Sequence, residues 1–280
     1  MRPSSRAPVP TITPDLALID DSWPARQHSR FALALAITMG AAAVGGATAA
    51  DPPRLPSYQS DLDAFQAEQA KHPPPFTAIE RDQMEAAAAA LAAAMPEPGP
   101  QVGETAPDFQ LPNARGEMVR LTQRLQEGPV VLTFYRGAWC PYCNLQLRGL
   151  HQSLPHFERY QAQLIAITPQ QPDQSLAQVK VDGYPFEILS DLKDDTMQAY
   201  RLAFEVPESL RALYQERLGL NLAEYNGEGR FILPVPATFV IDQEGVIRYA
   251  FAETDYRQRA EPADILATLA NLSDAPVAKR

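Results

Sequence analysis

Gly128-Pro129-Val130-Val131-Leu132-Thr133-Phe134-Tyr135-Arg136-Gly137-Ala138-Trp139-Cys140-Pro141-Tyr142-Cys143 is the stretch on which the reading of this chain turns. Its first half is an apolar run that reads as a buried strand. From Pro141 an amphipathic pattern begins, with Leu147, Leu150, Leu154 and Phe157 at helical spacing. The unit is therefore strand, loop, helix, with Cys140 at the helix N-cap and Pro141 at the first helical position. Exposed amide N–H groups and the positive end of the helix dipole favour a thiolate at Cys140. Cys143 lies one turn along, close enough for such a pair to close into a disulfide. These are the only two cysteines of the chain, and their placement predicts thiol redox chemistry.

The pattern extends in both directions. Residues 107–110 and 117–121 read as short strands flanking the turn Asn113-Ala114-Arg115-Gly116. Leu164–Thr168 reads as a second buried strand, residues 176–181 as a short helix, and Phe186–Leu189 as a strand ending at Ser190-Asp191. Residues 195–204 are expected to be helical. Residues 237–242 and 246–251 bracket Gln243-Glu244-Gly245 as a hairpin, and residues 263–272 close the chain as a helix. Pro155 is expected to kink the helix after the cysteines or to end it early. Strands that alternate with helices and end in an antiparallel hairpin predict an α/β fold, a mixed central sheet with helices on both faces. Residues 205–234 interrupt the rhythm and read as an insertion whose Leu210, Leu213, Tyr214, Leu218 and Leu220 either cover the core or meet a partner, burial in their own domain being the favoured reading.

The main domain is expected at residues 101–273, followed by a tail at 274–280. Residues 51–100 read as a linker and helical extension. A short helix is expected at 61–71, with Leu62 and Phe65 on one side, and His72-Pro73-Pro74-Pro75 stops it. Thr77 and Glu80 form a capping-box pattern opening an Ala-rich helix over 79–95. Residues 1–50 read as a targeting segment. Arg26 and Arg30 precede an apolar stretch at 31–44, and Ala47-Thr48-Ala49 fits a small-residue cleavage site. The stretch is too rich in Ala and Gly to make a good permanent membrane span. A periplasmic or secreted protein is expected, or a cytoplasmic one if translation begins at Met39.

Composition narrows the partners. The chain has 280 residues, 45% hydrophobic and 21% charged, with a formal net charge of −10. An acidic surface argues against nucleic acid and anionic membranes. Two cysteines are too few for a disulfide scaffold or a four-ligand zinc site. Around the cysteines, Arg136 reads either as a solvated side chain or as a charge that lowers the Cys140 pKa. Trp139 reads either as core packing or as a shield for the thiolate that shapes a substrate groove. His151 and His156 fit surface or core roles on the following helix. The preceding strand carries no Asp or Glu to shuttle a proton, and Thr133 is its polar residue.

The element order resembles a thioredoxin fold. Gly103-Glu104-Thr105-Ala106-Pro107-Asp108-Phe109, the run from Phe134 to Asn144, residues 223–227 and residues 233–242 together resemble a CxxC-bearing branch of the peroxiredoxin-like alkyl hydroperoxide reductase and thiol-specific antioxidant family. The resemblance spans residues 101–272. It implies that Cys140 is the peroxidatic nucleophile and that Cys143 resolves its sulfenic acid, giving a Cys140–Cys143 disulfide. It further implies a thioredoxin-dependent peroxidase acting on a small hydroperoxide, with a thiol reductant such as thioredoxin or glutathione and no cofactor.

The chain departs from that pattern at three places. Gly137 and Thr133 stand where peroxiredoxins place a Thr or Ser and a Pro, three and seven residues before the nucleophile. Pro236 stands where the family has its activating Arg. Val235-Pro236 resembles instead the cis-proline of thioredoxins, which faces the CxxC pair and receives a substrate disulfide's backbone. Cys-Pro-Tyr-Cys is also the glutaredoxin pattern. A thiol–disulfide oxidoreductase acting on protein or glutathione mixed disulfides is therefore the competing expectation. Copper delivery is a third, since thiolates suit Cu(I); yet all four histidines precede residue 157, so no distal ligand follows the motif.

Overall fold

The computed structural model describes residues 54–73 and 76–274. The targeting segment expected at 1–50 and the tail after 274 lie outside the described residues. Two helices come first, α1 (Tyr58–Lys71) and α2 (Ala78–Ala94). Ser57 caps α1 by accepting from the Ser60 N–H, so the helix starts ahead of the expected residue 61. Thr77 and Glu80 form the expected capping box on α2. An antiparallel pair follows, β1 (Gln110–Pro112) and β2 (Met118–Arg120), then the single-turn helix α3 (Leu121–Arg124).

The body of the domain runs β3 (Val130–Phe134), α4 (Pro141–Phe157), β4 (Gln163–Thr168), α5 (Pro172–Asp182), β5 (Glu187–Ser190) and α6 (Asp195–Ala199). Next come β6 (Ala203–Glu205), α7 (Glu208–Leu218), α8 (Leu222–Asn226) and β7 (Ile232–Pro234). The chain closes with β8 (Ala237–Ile241), β9 (Ile247–Ala252) and α9 (Pro262–Asp274). The central sheet has the order β5-β4-β3-β8-β9. β3, β4 and β5 are parallel, and β8 and β9 are antiparallel to their neighbours.

β3 lies in the middle, and the alternation of its side chains explains why helices cover both faces. Val130, Leu132 and Phe134 pack with Ile165, Phe239, Ile241 and Tyr200 on one face. Val131 packs with Leu150 and Phe157 of α4 and Ile265 and Leu269 of α9 on the other. Burying each such side chain contributes roughly 1.5–3 kcal/mol, more than any local propensity term of under about 1 kcal/mol. Burial therefore sets the register that delivers the chain to the cysteines. The insertion builds a satellite core of Val206, Leu210, Leu213, Tyr214, Leu222 and Leu233, on which Trp139 and, from the N-terminal extension, Phe76, Met84 and Ala87 pack.

Three expectations need correction. The helix expected over 195–204 ends at Ala199, and residues 203–205 become a strand paired with β7. Arg201 breaks the helix by taking a φ of 53°, held by bonds from its guanidinium to the Gly99 carbonyl and Glu104 carboxylate. The strand expected at 107–110 begins only at Gln110. Pro155 does not end α4, which runs to Phe157. Among the described residues no helix is long and apolar enough to cross a membrane.

Candidate active site

The β3–α4 junction forms as its residues dictate. Tyr135 extends the ladder one residue beyond β3, its N–H donating to the Ile167 carbonyl at 3.0 Å. The loop then closes on itself. The Cys140 N–H donates to Gly137 O at 3.1 Å, Ala138 N to Gln170 Oε1 at 2.8 Å and Asn144 Nδ2 to Ala138 O at 2.7 Å. Gly137 is required here, because a Cβ on it would lie 2.3 Å from Trp139 Nε1. Cys140 is the N-cap in extended conformation, with Pro141 opening α4.

Both cysteines are free thiols, 1% and 0% exposed. They are hydrogen-bonded to one another and share a proton unevenly. Burial pushes the Cys140 thiol up, and its hydrogen bond to Cys143 and the charge there add to this, against Arg136 and Arg259. Burial also pushes Cys143 up. There it is outweighed by the Cys140 hydrogen bond, by the Arg259 and Arg136 charges and by the Arg136 backbone N–H, which hold the thiol down to about 5. Arg259 Nη2 donates to the Cys143 sulfur at 3.4 Å. The direct cationic and N–H donors thus converge on Cys143 and favour the anion there, whereas the helix N-cap position favours it on Cys140.

Two buried guanidinium groups make this arrangement possible. Arg136 and Arg259 are 6% and 5% exposed, and neither forms an ion pair with a carboxylate among the described residues. A cation so placed needs a compensating anion, and the dithiol supplies it. Arg136 lies over the rings of Trp139 and Tyr256, 4.9 and 4.6 Å from their centroids, and donates to Tyr214 Oη at 3.4 Å. Burial works against its charge, but the Tyr214 phenol and the two sulfurs outweigh it and raise its pKa. Arg259 is anchored by donation to the Tyr256 and Gln258 carbonyls.

Arg136 and Trp139 are therefore brought to the site, Arg136 as a charge and not as a solvated side chain. Arg136 Nε, Trp139 Nε1 and Gln170 Nε2 are buried donors with no acceptor among the described residues. They are available to an oxygen-bearing ligand. Thr133 turns elsewhere, its hydroxyl bonded to the Ala237 carbonyl and the Thr238 hydroxyl, both at 3.1 Å. Gln146 Nε2 completes that network at 2.9 Å from Thr238 Oγ1. His151 packs edge-on against Tyr184 and Phe186.

Pro236 corrects the sequence reading. No peptide bond among the described residues is cis, so Val235–Pro236 is trans. The pair links β7 to β8 as extended chain, with the Val235 N–H on the Leu202 carbonyl at 2.8 Å and the Pro236 carbonyl accepting from Glu253 at 3.4 Å. Arg259, which arrives from the loop after β9, brings a cation to Cys143 instead. Sequence reasoning missed Arg259, Tyr256, Gln170 and Tyr214. Each lies far along the chain from Cys140 and carries no local motif.

The chain is 24% identical over 161 residues to a thiol-disulfide oxidoreductase ResA of Geobacillus kaustophilus, covering 57% of this chain and 74% of that protein. It is 28% identical over 151 residues to alkyl hydroperoxide reductase E of Mycobacterium bovis, covering 53% and 83%. Among solved structures, peroxidoxin BcpB of Mycobacterium tuberculosis superposes with a TM-score of 0.48 at 23% identity, over 61% of this chain and 97% of that one. Residues 102–250, more than half of the chain, match the AhpC/TSA family along β3, the cysteine pair, the insertion and β8, and the protein belongs to that family.

Proposed function

We propose that this protein is a thiol-dependent peroxidase that reduces hydroperoxides through a dithiol–disulfide cycle of Cys140 and Cys143. The observation that carries the reading is a buried, proton-sharing dithiol under two guanidinium groups, beside donors that lack an acceptor. Alkyl hydroperoxide reductase E and peroxiredoxin Bcp among its relatives support it.

The residues fit a balanced cycle. Cys140 passes its proton to the Cys143 thiolate along their hydrogen bond and attacks the terminal oxygen of the hydroperoxide. An S–O bond forms, the O–O bond breaks, and the departing alkoxide takes the proton back from Cys143 and leaves as alcohol. Cys143, again a thiolate, attacks the Cys140 sulfenic sulfur; the S–S bond forms and hydroxide leaves. Arg136 and Arg259 stabilise whichever sulfur bears the charge. Arg136 Nε, Trp139 Nε1 and Gln170 Nε2 orient the peroxide oxygens. A dithiol reductant such as thioredoxin, or two molecules of glutathione, then returns two electrons to the disulfide.

Peroxide consumption by the reduced protein, with dithiothreitol as donor, tests the reading. Turnover that Cys140→Ser abolishes is expected, and equal rates for the two proteins would overturn it. A dimedone adduct on Cys140 is expected in Cys143→Ser; an adduct that forms on Cys143 in Cys140→Ser, and not on Cys140, would reverse the two roles. A second reading, thiol–disulfide exchange, is favoured by the ResA relatives. It predicts reduction of insulin disulfides that outpaces peroxide turnover. We further propose export directed by residues 1–50, so that electrons are supplied outside the cytosol. Fusion of those residues to alkaline phosphatase should yield active phosphatase, and an inactive cytosolic fusion would reject it.

A further inference from the structure

Oxidation of the cysteine pair removes a negative charge and leaves two cations behind. Arg136 and Arg259 are both buried, and no carboxylate pairs with either among the described residues. The Nε atom of each is a buried donor without an acceptor there. Their other named neighbours are neutral. Arg136 has the faces of Trp139 and Tyr256 and the Tyr214 hydroxyl; Arg259 has the Tyr256 and Gln258 carbonyls. The anion that faces both is sulfur. Arg259 Nη2 lies 3.4 Å from the Cys143 sulfur. Against burial, the Tyr214 phenol and both sulfurs raise the Arg136 pKa.

A buried cation needs an anion, and neutral dipoles replace only part of its lost hydration. In the dithiol state a thiolate sulfur supplies that anion. A disulfide carries no charge. Closing the Cys140–Cys143 bond therefore leaves both guanidinium groups buried and uncompensated. Whatever stabilises the thiolate and not the disulfide shifts the pair toward its reduced state. The loop that the bond closes runs only from Cys140 to Cys143, and a short loop contributes least to the entropic stabilisation that a disulfide brings. The electrostatic loss on oxidation is thus weakly opposed.

We propose that the Cys140–Cys143 disulfide is strongly oxidising because it strands the Arg136 and Arg259 cations, so that monothiols of the glutathione class suffice to reduce it. The inference rests on the dithiol–disulfide cycle proposed above and concerns its reductive half. A monothiol thiolate attacks one sulfur of the pair. A mixed disulfide forms, the Cys140–Cys143 bond breaks, and the freed sulfur leaves as the thiolate that the two guanidinium groups receive. A second monothiol thiolate attacks the small thiol's sulfur in the mixed disulfide. The small-molecule disulfide forms, and the other protein sulfur leaves and takes up a proton. Two electrons pass from two monothiols to the pair; of their two protons, one stays on the pair and one goes to solvent. Dithiol proteins of the thioredoxin class reduce the same bond by the same two exchanges.

The test equilibrates the full chain, oxidised beforehand with diamide, in buffers of reduced and oxidised glutathione. Thioredoxin in the same tube serves as reference, and alkylated thiols on each protein are counted by mass. Where half of the thioredoxin is reduced, roughly nine-tenths or more of this protein should be reduced. Arg259→Gln should lower the equilibrium constant for reduction at least tenfold, about 30 mV, and Arg259→Lys should recover most of that fall. Melting of the wild type needs no variant. A disulfide ordinarily raises stability, but here the oxidised protein should melt below the reduced one. A smaller reduced fraction, a fall under tenfold, no recovery by lysine, or an oxidised form that melts at or above the reduced one would overturn the proposal. Should Arg259→Gln fail to fold, the glutathione balance and the melting order of the wild type decide. No peroxide enters these measurements. A protein that fails them and still consumes peroxide loses this inference alone; one that passes them without consuming peroxide loses the peroxidase reading alone.

Discussion

Arg136 and Arg259 reach the same sulfur from distant parts of the chain and are held there in different ways. Arg136 sits at the end of the central strand, four residues before Cys140, and is clamped between the faces of Trp139 and Tyr256. Arg259 comes from the loop between β9 and α9 and is tied by backbone carbonyls. Arg136 is therefore both charge and packing, whereas Arg259 is a charge on a hydrogen-bonded tether. A sulfur held by both keeps its thiolate in a site that burial alone would neutralise. One of the two cations lies within the matched family region and the other beyond it, so this chain completes its site with a residue outside that region.

Substitution at each position separates charge from packing. Cys140→Ser has the largest expected effect, a loss of peroxide turnover on the order of 10³-fold or more, because nucleophile and partner act as a unit. Next comes Arg259→Ala, which removes the guanidinium nearest Cys143 and moves that thiol up toward its ordinary value. At pH 6 the rate of iodoacetamide labelling should fall about twofold as the pKa rises from about 5 to 6, and by a factor approaching tenfold for each further unit. Arg259→Lys should restore most of the labelling, since charge is what is lost. Arg136→Lys should not restore the wild-type melting temperature, because a lysine cannot stack between the two rings, an interaction of about 0.5–2 kcal/mol. Equal rescue by lysine at both positions would erase the distinction.

Gln170→Ala should act more weakly. It removes the acceptor for the Ala138 N–H and one unpaired donor, and a loss of about 1–2 kcal/mol of positioning corresponds to roughly 5- to 30-fold in peroxide kcat/KM. Stability gives a further readout. Cys143 ionises more readily folded than unfolded, with its pKa lowered from 9.0 to about 5. The stability it contributes is complete above the unfolded value and is lost as pH falls through the folded one. Urea melts of the reduced protein at pH 8 and pH 5 should show a wider difference for the wild type than for Cys143→Ser; identical differences would contradict the assignment.

Much of this was legible in the sequence, for a physical reason that also explains what was not. The β3 run, the Cys140 N-cap with Pro141 after it, and the β8–β9 hairpin are encoded by neighbours: buried apolar residues, a proline suited to the first helical turn, a Gly-bearing turn. The Thr77–Glu80 capping box is equally local. What failed depends on residues distant in sequence. The segment 200–205 has a helical composition but is captured by Gly99 and Glu104 through Arg201 and by β7 through strand pairing. The cation beside Cys143 was not foreseen because Arg259, more than a hundred residues away, points at the second sulfur. Pro236 carries the sequence context of a thioredoxin cis-proline, but here its chain runs straight from β7 into β8.

Thiolate absorbance at 240 nm, titrated on the reduced wild-type protein, reads the uneven ionisation of the two sulfurs. One thiolate should appear with a midpoint near pH 5 and the second sulfur should stay protonated well above neutrality, with the first midpoint moved up in Arg259→Ala. Two thiols titrating together near the ordinary value of 9.0, unmoved by the loss of Arg259, would contradict the account.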